Sequence, residues 1–504
     1  MSLWRLHSAV DVVGAINLIA TLTKYLSLAT LVPAAVAVGY GEPPWPFLGA
    51  GAIVGGGSLA IEFLTRGKHR IGSREGFFVV AFTWLAAAAL GALPYVLSAE
   101  PELNRPIDAY FEAMSGFTTT GASVITDVES VSPSILLWRQ FTQWLGGIGI
   151  IVLALAVLPR LRVGGRQLLE HEMPGPEIDS LSTRIQDTAR RVWFLYVALT
   201  GILIMLLVGF GLTGIDDRMT VFDAFAHALT TMPTGGFGVD ATSLAEFGAA
   251  TQWTIALFML LAGANFALLY RAFVRRQPKV FAFDEEFRLY VGLLALASVV
   301  VGAEIWSEGI ASGEAVVRHA VFQTVSLMTT TGFATADFAV WPALTAMTLI
   351  GLMFVGGSAG STSGSVKVVR HLLLGKVLRR EIDQTVHPEL VVPVRLNRSA
   401  VDERTLRAVT SFILLYMGIF ILGALLLAAD AARVGLDLSV LEAIGAAATT
   451  LGNVGPAFGF AGPFGSFEPF SDFSTAVMIG LMWVGRLEII PIVVLFSRHY
   501  WRNS

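Results

Sequence analysis

FEAMSGFTTTG, residues 111–121, is an apolar stub too short to cross a bilayer, yet it lies between two segments long enough to do so. The pattern returns as FAHALTTMPTG at 225–235, FQTVSLMTTTG at 322–332 and EAIGAAATTLG at 442–452. A Phe stands ten residues before the closing glycine in the first three copies, and Glu442 takes that place in the fourth. On this alignment the shared glycines are Gly121, Gly235, Gly332 and Gly452, spaced 114, 97 and 120 residues apart. An internal repeat of about a hundred residues organises the chain: span, short helix, Thr-Gly loop, span.

The 504 residues are 54% hydrophobic and 14% charged, the composition of an integral membrane protein. A net charge of −4 gives no sign of nucleic-acid binding, and the absence of cysteine excludes disulfides, thiol catalysis and cysteine-based metal sites. The N-terminus lacks a basic leader and a small-residue cleavage site, so the first apolar segment is expected to stay in the membrane. Ten segments suit a hydrocarbon core about 30 Å thick: 16–38, 47–64, 77–97, 135–158, 192–212, 251–273, 287–306, 342–374, 409–429 and 474–496. The expected fold is an all-α integral membrane protein with ten transmembrane helices. Two helices (1–72) precede four pseudo-fourfold repeats of helix, pore helix, filter loop and helix, at 73–165, 166–280, 281–385 and 386–504.

With the N-terminus on the cytoplasmic side, 27 of the 34 Lys and Arg residues fall inside and only Arg105, Arg218, Arg318 and Arg433 fall outside. That bias predicts both termini inside and all four Thr-Gly loops on the external side. The polar inner loops 159–191 and 371–405 are either docking places for a cytoplasmic partner or solvated connectors that set topology.

A loop that enters the membrane and turns back exposes carbonyls at membrane depth, which is tolerated only in protein or along a wet path. Glycine permits the positive φ that turns successive carbonyls toward one axis. Each short helix ends there with about half an elementary charge of negative sign. Rings of such carbonyls replace the hydration shell of an ion. The candidate ion-binding residues are Thr119, Thr120, Gly121 and Ala122; Pro233, Thr234, Gly235 and Gly236; Thr330, Thr331, Gly332 and Phe333; and Thr450, Leu451, Gly452, Asn453 and Val454. On this alignment Pro233, Leu451 and Asn453 make the ring uneven. A single Thr-Gly loop would mean little, and repeats with broken helices also occur in transporters. Four loops on one side favour a pore.

FTTTGAS, TGGFG, TTTGFAT and TTLGNVGPAFG resemble the four filter segments of the Trk/Ktr/HKT superfamily of potassium transporters, and WRQFTQWLGGIGIIVLALAVLP (138–159) resembles the inner helix of its first repeat. The resemblance covers residues 75–500, and the two additional N-terminal spans place it nearer the TrkH-like branch. It implies potassium as the transported ion, with no organic cofactor on this chain, in a bacterial inner membrane. It also implies a homodimer surrounded by membrane lipid and a cytoplasmic ring of NAD(H)- or ATP-binding regulatory subunits (TrkA-like). In the plant branch a serine at the first filter glycine goes with sodium transport; Gly121 here implies potassium.

Segment 342–374 would be about 50 Å long as one helix, too long for a straight span. Its middle, GGSAGSTSGS at 356–365, is poor helix material and polar for its depth. It reads either as a loop joining two helices or as a flexible intramembrane gate below the filter, and the resemblance implies the gate. Gate candidates are Gly356, Gly357, Gly360, Ser361, Gly364 and Lys367, together with Arg486, which lies deep in the last span. An arginine there is expensive and faces a partner or a wet path. Glu488 is two residues away and does not share its helix face.

Arg139 and His227 are expected to be structural. Glu468 and Asp472 are either cation-concentrating or ordinary solvated charges. The alternative transport reading is symport of potassium with protons or sodium, for which Glu62, Glu304 and Glu488 are the few intramembrane acids. No HExxH or paired-carboxylate motif supports an enzyme, and the 356–365 run contains no phosphate-loop GK[ST].

Overall fold

The computed structural model describes residues 10–67, 69, 72–98, 100–152 and 178–501. The inner end of the predicted 135–158 span and most of the 159–191 loop lie outside the described residues. Apolar helices dominate: α1 (Val12–Tyr40), α2 (Trp45–Leu64) and α3 (Ser73–Ser98) come first. α4 (Pro106–Phe117) is short, and α5 (Pro133–Val152) returns. The same order of long, short and returning helix follows in α6 (Ile178–Thr213), α7 (Val221–Thr231), and α8 (Ala249–Ala262) with α9 (Phe266–Val274). Then come α10 (Glu285–Ser307), α11 (Glu314–Met328), α12 (Ala343–Val355) and α13 (Val368–Val386). α14 (Glu403–Val434), α15 (Val440–Gly452), α16 (Asp472–Arg486) and α17 (Ile490–Phe496) come last, followed by a helical turn at Arg498–Trp501.

Among the described residues, six helices are long and apolar enough to cross a membrane, and up to eight segments qualify if each of two bent pairs counts as one. Two expected straight spans are not straight. Segment 251–273 bends by 105° between α8 and α9, and segment 474–496 bends by 114° between α16 and α17. In the first, Asn265 caps the new helix by accepting from Ala267 and Leu268 N–H. In the second, Glu488 and Ile489 both take positive φ, 57° and 61°, so helical continuation is impossible there. Arg486 is thus the last residue of α16, at a break, and not the middle of a span.

The short helices start where their sequences say they should. Thr220 with Asp223, and Ser439 with Glu442, form reciprocal capping boxes at α7 and α15, while Pro106 occupies the first turn of α4. Two large apolar clusters hold the bundle. One joins α6–α12, and the other joins α3–α5 with α14–α17 and part of α1 and α2. A small antiparallel pair, Arg395–Leu396 with Ser399–Ala400, lies between α13 and α14, so the 371–405 segment is a helix and a hairpin rather than an open loop.

Between α4 and α5 lies a fully buried ion pair: Arg139 and Glu112 are 2.7 Å apart with 1% and 0% side-chain exposure. Removing one partner of such a pair costs about 3–5 kcal/mol, because the other charge stays buried. We therefore expect Glu112→Ala to lower the thermal unfolding midpoint of the detergent-purified protein markedly, and Glu112→Leu combined with Arg139→Met to recover most of the loss. An unchanged midpoint for Glu112→Ala would contradict this account.

Candidate functional site: four turns at the ends of the short helices

Each short helix ends in the same backbone device. Thr119, Thr234, Thr330 and Asn453 all take left-handed φ, between 52° and 59°. The next residue donates its N–H five residues back: Thr120 to Ser115 O, Gly235 to Thr230 O, Thr331 to Ser326 O and Val454 to Thr449 O, at 2.8–2.9 Å. That is the helix-terminating geometry expected after a left-handed residue. A glycine with positive φ then follows: Gly121 (83°), Gly236 (75°), Gly332 (87°) and Gly455 (114°).

This corrects the alignment drawn from the sequence. Gly235 is one residue early and Gly452 three residues early; neither has positive φ, and Gly452 is the last helical residue of α15. Thr450 and Leu451 also belong to that helix, so the threonine missing at Leu451 reflects a shifted alignment. Phe111 and Phe322 are buried whereas Phe225 is 44% exposed, because the matching position in the second copy is the buried Ala226.

The four turns close on one another. A Cβ added to Gly121 would collide with Gly235 O, one on Gly236 with Thr331 O, and one on Gly332 with Val454 O; on Gly455 it would lie 2.9 Å from Thr120 O. Each positive-φ glycine therefore packs against the carbonyl preceding the glycine of the next turn, and the fourth returns to the first. All four glycines line one open recess, with Ala122, Asp240 and Pro456 also on its wall. Burial raises the Asp240 carboxyl above the usual range, against the lowering effect of Arg218 beside it.

Thr119, Thr120, Thr234, Thr330, Thr331, Phe333, Asn453, Val454 and Ala122 are all buried. Thr118 and Thr120 hydroxyls pair at 2.8 Å, as do Thr329 and Thr331; Pro233 and Gly452 stand at the matching place in the other two turns. Thr119 Oγ1 and Asn453 Oδ1, at the same place in two turns, have no hydrogen-bond partner. Asn453 Nδ2 donates to Thr120 Oγ1 and to Met482 O, both at 3.0 Å.

The 356–365 loop separates α12 from α13 and packs against these turns. Gly364 N–H donates to Thr330 Oγ1 at 2.8 Å, and Thr362 Oγ1 donates to Met232 O and Ala262 O. Gly364 has no room for a Cβ against Gly452 O, and Gly357 lies against Ser363 and Gly263 O. Gly356 and Gly360 take φ of 74° and 73°, and Lys367 takes 77°. Ser361 is buried, with its hydroxyl on Ser358 O at 2.6 Å, while Ala359 N–H donates to Glu286 Oε1 at 2.6 Å.

Arg486, 2% exposed, donates to Thr362 O at 2.9 Å and leaves Nε and Nη2 without a hydrogen-bond partner. Glu488 pairs across the fold with Lys367 at 2.8 Å and Arg370 at 2.5 Å, not with Arg486. Of the other intramembrane acids, Glu62 pairs with Lys24 at 2.5 Å and Glu304 accepts from Thr345. His227 lies between the rings of Phe247 and Phe333, with centroid distances of 5.0 and 5.7 Å.

The family described as "TrkH: Cation transport protein" matches residues 52–503. The chain belongs to the TrkH family. The Trk system potassium uptake protein TrkH of Salmonella typhimurium is 39% identical over 442 residues, 87% of this chain and 88% of its own length. Its namesake from Halomonas elongata is 34% identical over 493 residues, covering 97% of this chain and 99% of that one. The crystal structure of the potassium transporter TrkH from Vibrio parahaemolyticus superimposes with a TM-score of 0.86 at 34% identity, covering 98% and 100% of the two chains. Like other TrkH-family members, this chain is a multi-pass membrane protein of a transport family and not an enzyme.

The sequence reading missed Gly455, the acid Glu112 behind the first turn and the two helix breaks. A signal for the first was present: NVG places asparagine, which tolerates left-handed φ, two residues before a glycine, where TTG, TGG and TTG place threonine. Gly455→Ala is expected to be far more damaging than Gly452→Ala. The first meets a φ of 114° and a backbone oxygen at 2.9 Å; the second meets nothing closer than 3.2 Å. Strain of about 1–3 kcal/mol at Gly455 should appear in unfolding midpoint and in cation uptake. The reverse order would restore the sequence-based alignment.

Proposed function

We propose that the protein takes up potassium through a gated, channel-like pore whose filter is the ring of backbone carbonyls at the four turns. The closed sequence of glycine-to-carbonyl contacts carries this reading, since it supports four repeats around one axis. With α5 and the broken pair α12–α13 each counted as one span, the spans total ten, two of them before the repeats. The ion-binding positions are Thr119, Thr120 and Gly121; Thr234, Gly235 and Gly236; Thr330, Thr331 and Gly332; and Asn453, Val454 and Gly455. The unpartnered Thr119 and Asn453 oxygens, buried in the ring, add acceptors suited to a cation. The short helices direct their C-terminal ends at the same place.

Gly356–Gly364, Lys367 and Arg486 act as the gate in this reading. The loop is fastened to Thr330 above it and to Arg486 beside it, and Glu488 holds Lys367 and Arg370 at its far end. The relatives' potassium-uptake names and the fold they share support potassium as cargo. A homodimer, a cytoplasmic nucleotide-binding regulatory ring, an inner-membrane location and inward-facing termini complete the proposal. Symport with protons or sodium gains no support from Glu62, Glu304 or Glu488, each of which is already engaged.

Expression should restore growth at low potassium to a bacterial strain lacking uptake systems, with rubidium influx; no growth and no influx would defeat the proposal. Gly121→Ser should lower potassium-over-sodium discrimination in reconstituted vesicles, because its side chain intrudes on the Gly235 carbonyl. An unchanged permeability ratio would remove Gly121 from the filter. Arg486→Ala should raise leak in the closed state, whereas an unaltered leak would separate Arg486 from gating.

A further inference from the structure

The second turn differs from the other three at one place. Thr120, Thr331 and Val454 precede their positive-φ glycines, but there the second turn has Gly235. Space beside Gly235 is taken by a side chain from another repeat: the three nearest atoms to a Cβ built on Gly235 are the amide atoms of Gln143, on α5. Gln143 is fully buried. Its Nε2 donates to Gly235 O at 2.8 Å and its Oε1 accepts from Phe237 N–H at 3.2 Å. One amide thus bridges the two peptides that flank Gly236.

The returning helices explain why only this turn is built so. Gly147 lies against Pro233 and Gly263 against Thr329, so the first two of these helices pack on the next turn in the same phase. Aligned on these glycines, the helices read QWLGG at 143–147, MLLAG at 259–263, MFVGG at 353–357 and MWVGR at 482–486. Three fully buried methionines, Met259, Met353 and Met482, stand where α5 has Gln143. Counted in ring order, the helices that carry methionine precede the turns with Thr331, Val454 and Thr120, whereas the helix that carries Gln143 precedes the turn with Gly235. Asn453 Nδ2, which bonds both Met482 O and Thr120 Oγ1, shows that proximity for the fourth helix and the first turn.

We infer that Gln143 is a positioning residue for ion selection, acting in place of the side chain absent at Gly235 and holding the Gly235 carbonyl in the ring. This rests on the reading of the four turns as an ion filter. A methionine would fill the space but supply no donor, leaving that carbonyl free to rotate and blunting discrimination between ions of different radius. Gly235 has no positive φ, so a β-branched residue is excluded there by Gln143 and not by backbone geometry.

The test is a swap measured in reconstituted vesicles. Gln143→Met should lower the potassium-over-sodium permeability ratio by about fivefold, the equivalent of one net hydrogen bond. Gly235→Thr should be worse, because its side chain meets the Gln143 amide. The double variant Gln143→Met with Gly235→Thr reproduces the methionine and threonine of two other repeats and should return the ratio to near that of the parent. An unchanged ratio for Gln143→Met, or a double variant no better than Gly235→Thr, would overturn the inference. Unfolding midpoints of the four purified proteins give a second readout, in which recovery in the double variant is expected and purely additive losses would count against it. A parent without ion discrimination would defeat the filter reading itself, and the melting cycle would still decide whether Gln143 and Gly235 hold each other.

Discussion

The structure depends on a contact in which a glycine without a side chain lies against a neighbouring backbone carbonyl, made four times in a closed sequence. Gly121 on Gly235, Gly236 on Thr331, Gly332 on Val454 and Gly455 on Thr120 leave no room for a β-carbon in the first three cases and little in the fourth. Positive φ at each glycine turns the backbone so that the contact can form. Everything peripheral serves that arrangement. Capping boxes fix where the short helices begin, left-handed residues fix where they end, and glycines on the returning helices let those helices approach the turns.

Such a ring would be unstable in an apolar surround without partners for its polar backbone. The partners are supplied unequally. The first repeat contributes a buried ion pair: Arg139, held by Glu112, also reaches Gly238 O and Ser123 Oγ, and its guanidinium lies 4.2 Å from the centre of the Phe237 ring. The third contributes the 356–365 loop, whose Gly364 N–H meets Thr330. The fourth contributes Asn453. The four turns therefore share a backbone but not a set of side-chain supports.

Much of this was legible in the sequence, and the failures have physical causes. The apolar stubs, their number and their flanking spans were visible from hydropathy and spacing. The break at 356–365 was visible because glycine and serine are poor helix formers. The exact ring members in two repeats were not, since Thr449 and Thr450 followed by Gly452 mimic the true TTG turns although they complete a helix. The bends after Ala262 and Arg486 did not cut the apolar runs short, because α9 and α17 are as apolar as the helices before them. Arg486 and Glu488 stood out as charges in an apolar run, but only the fold shows that Glu488 serves Lys367 and Arg370 while Arg486 serves Thr362.

The central claim is that the four turns form one cation site on a common axis, and locating a heavy congener of the ion tests it most directly. Anomalous diffraction from crystals of the protein grown in rubidium should place a peak between the carbonyls of Thr119, Thr234, Thr330 and Asn453 and those of Thr120, Gly235, Thr331 and Val454. Rubidium bound only elsewhere, or no peak between those two rings at saturating rubidium, would contradict it.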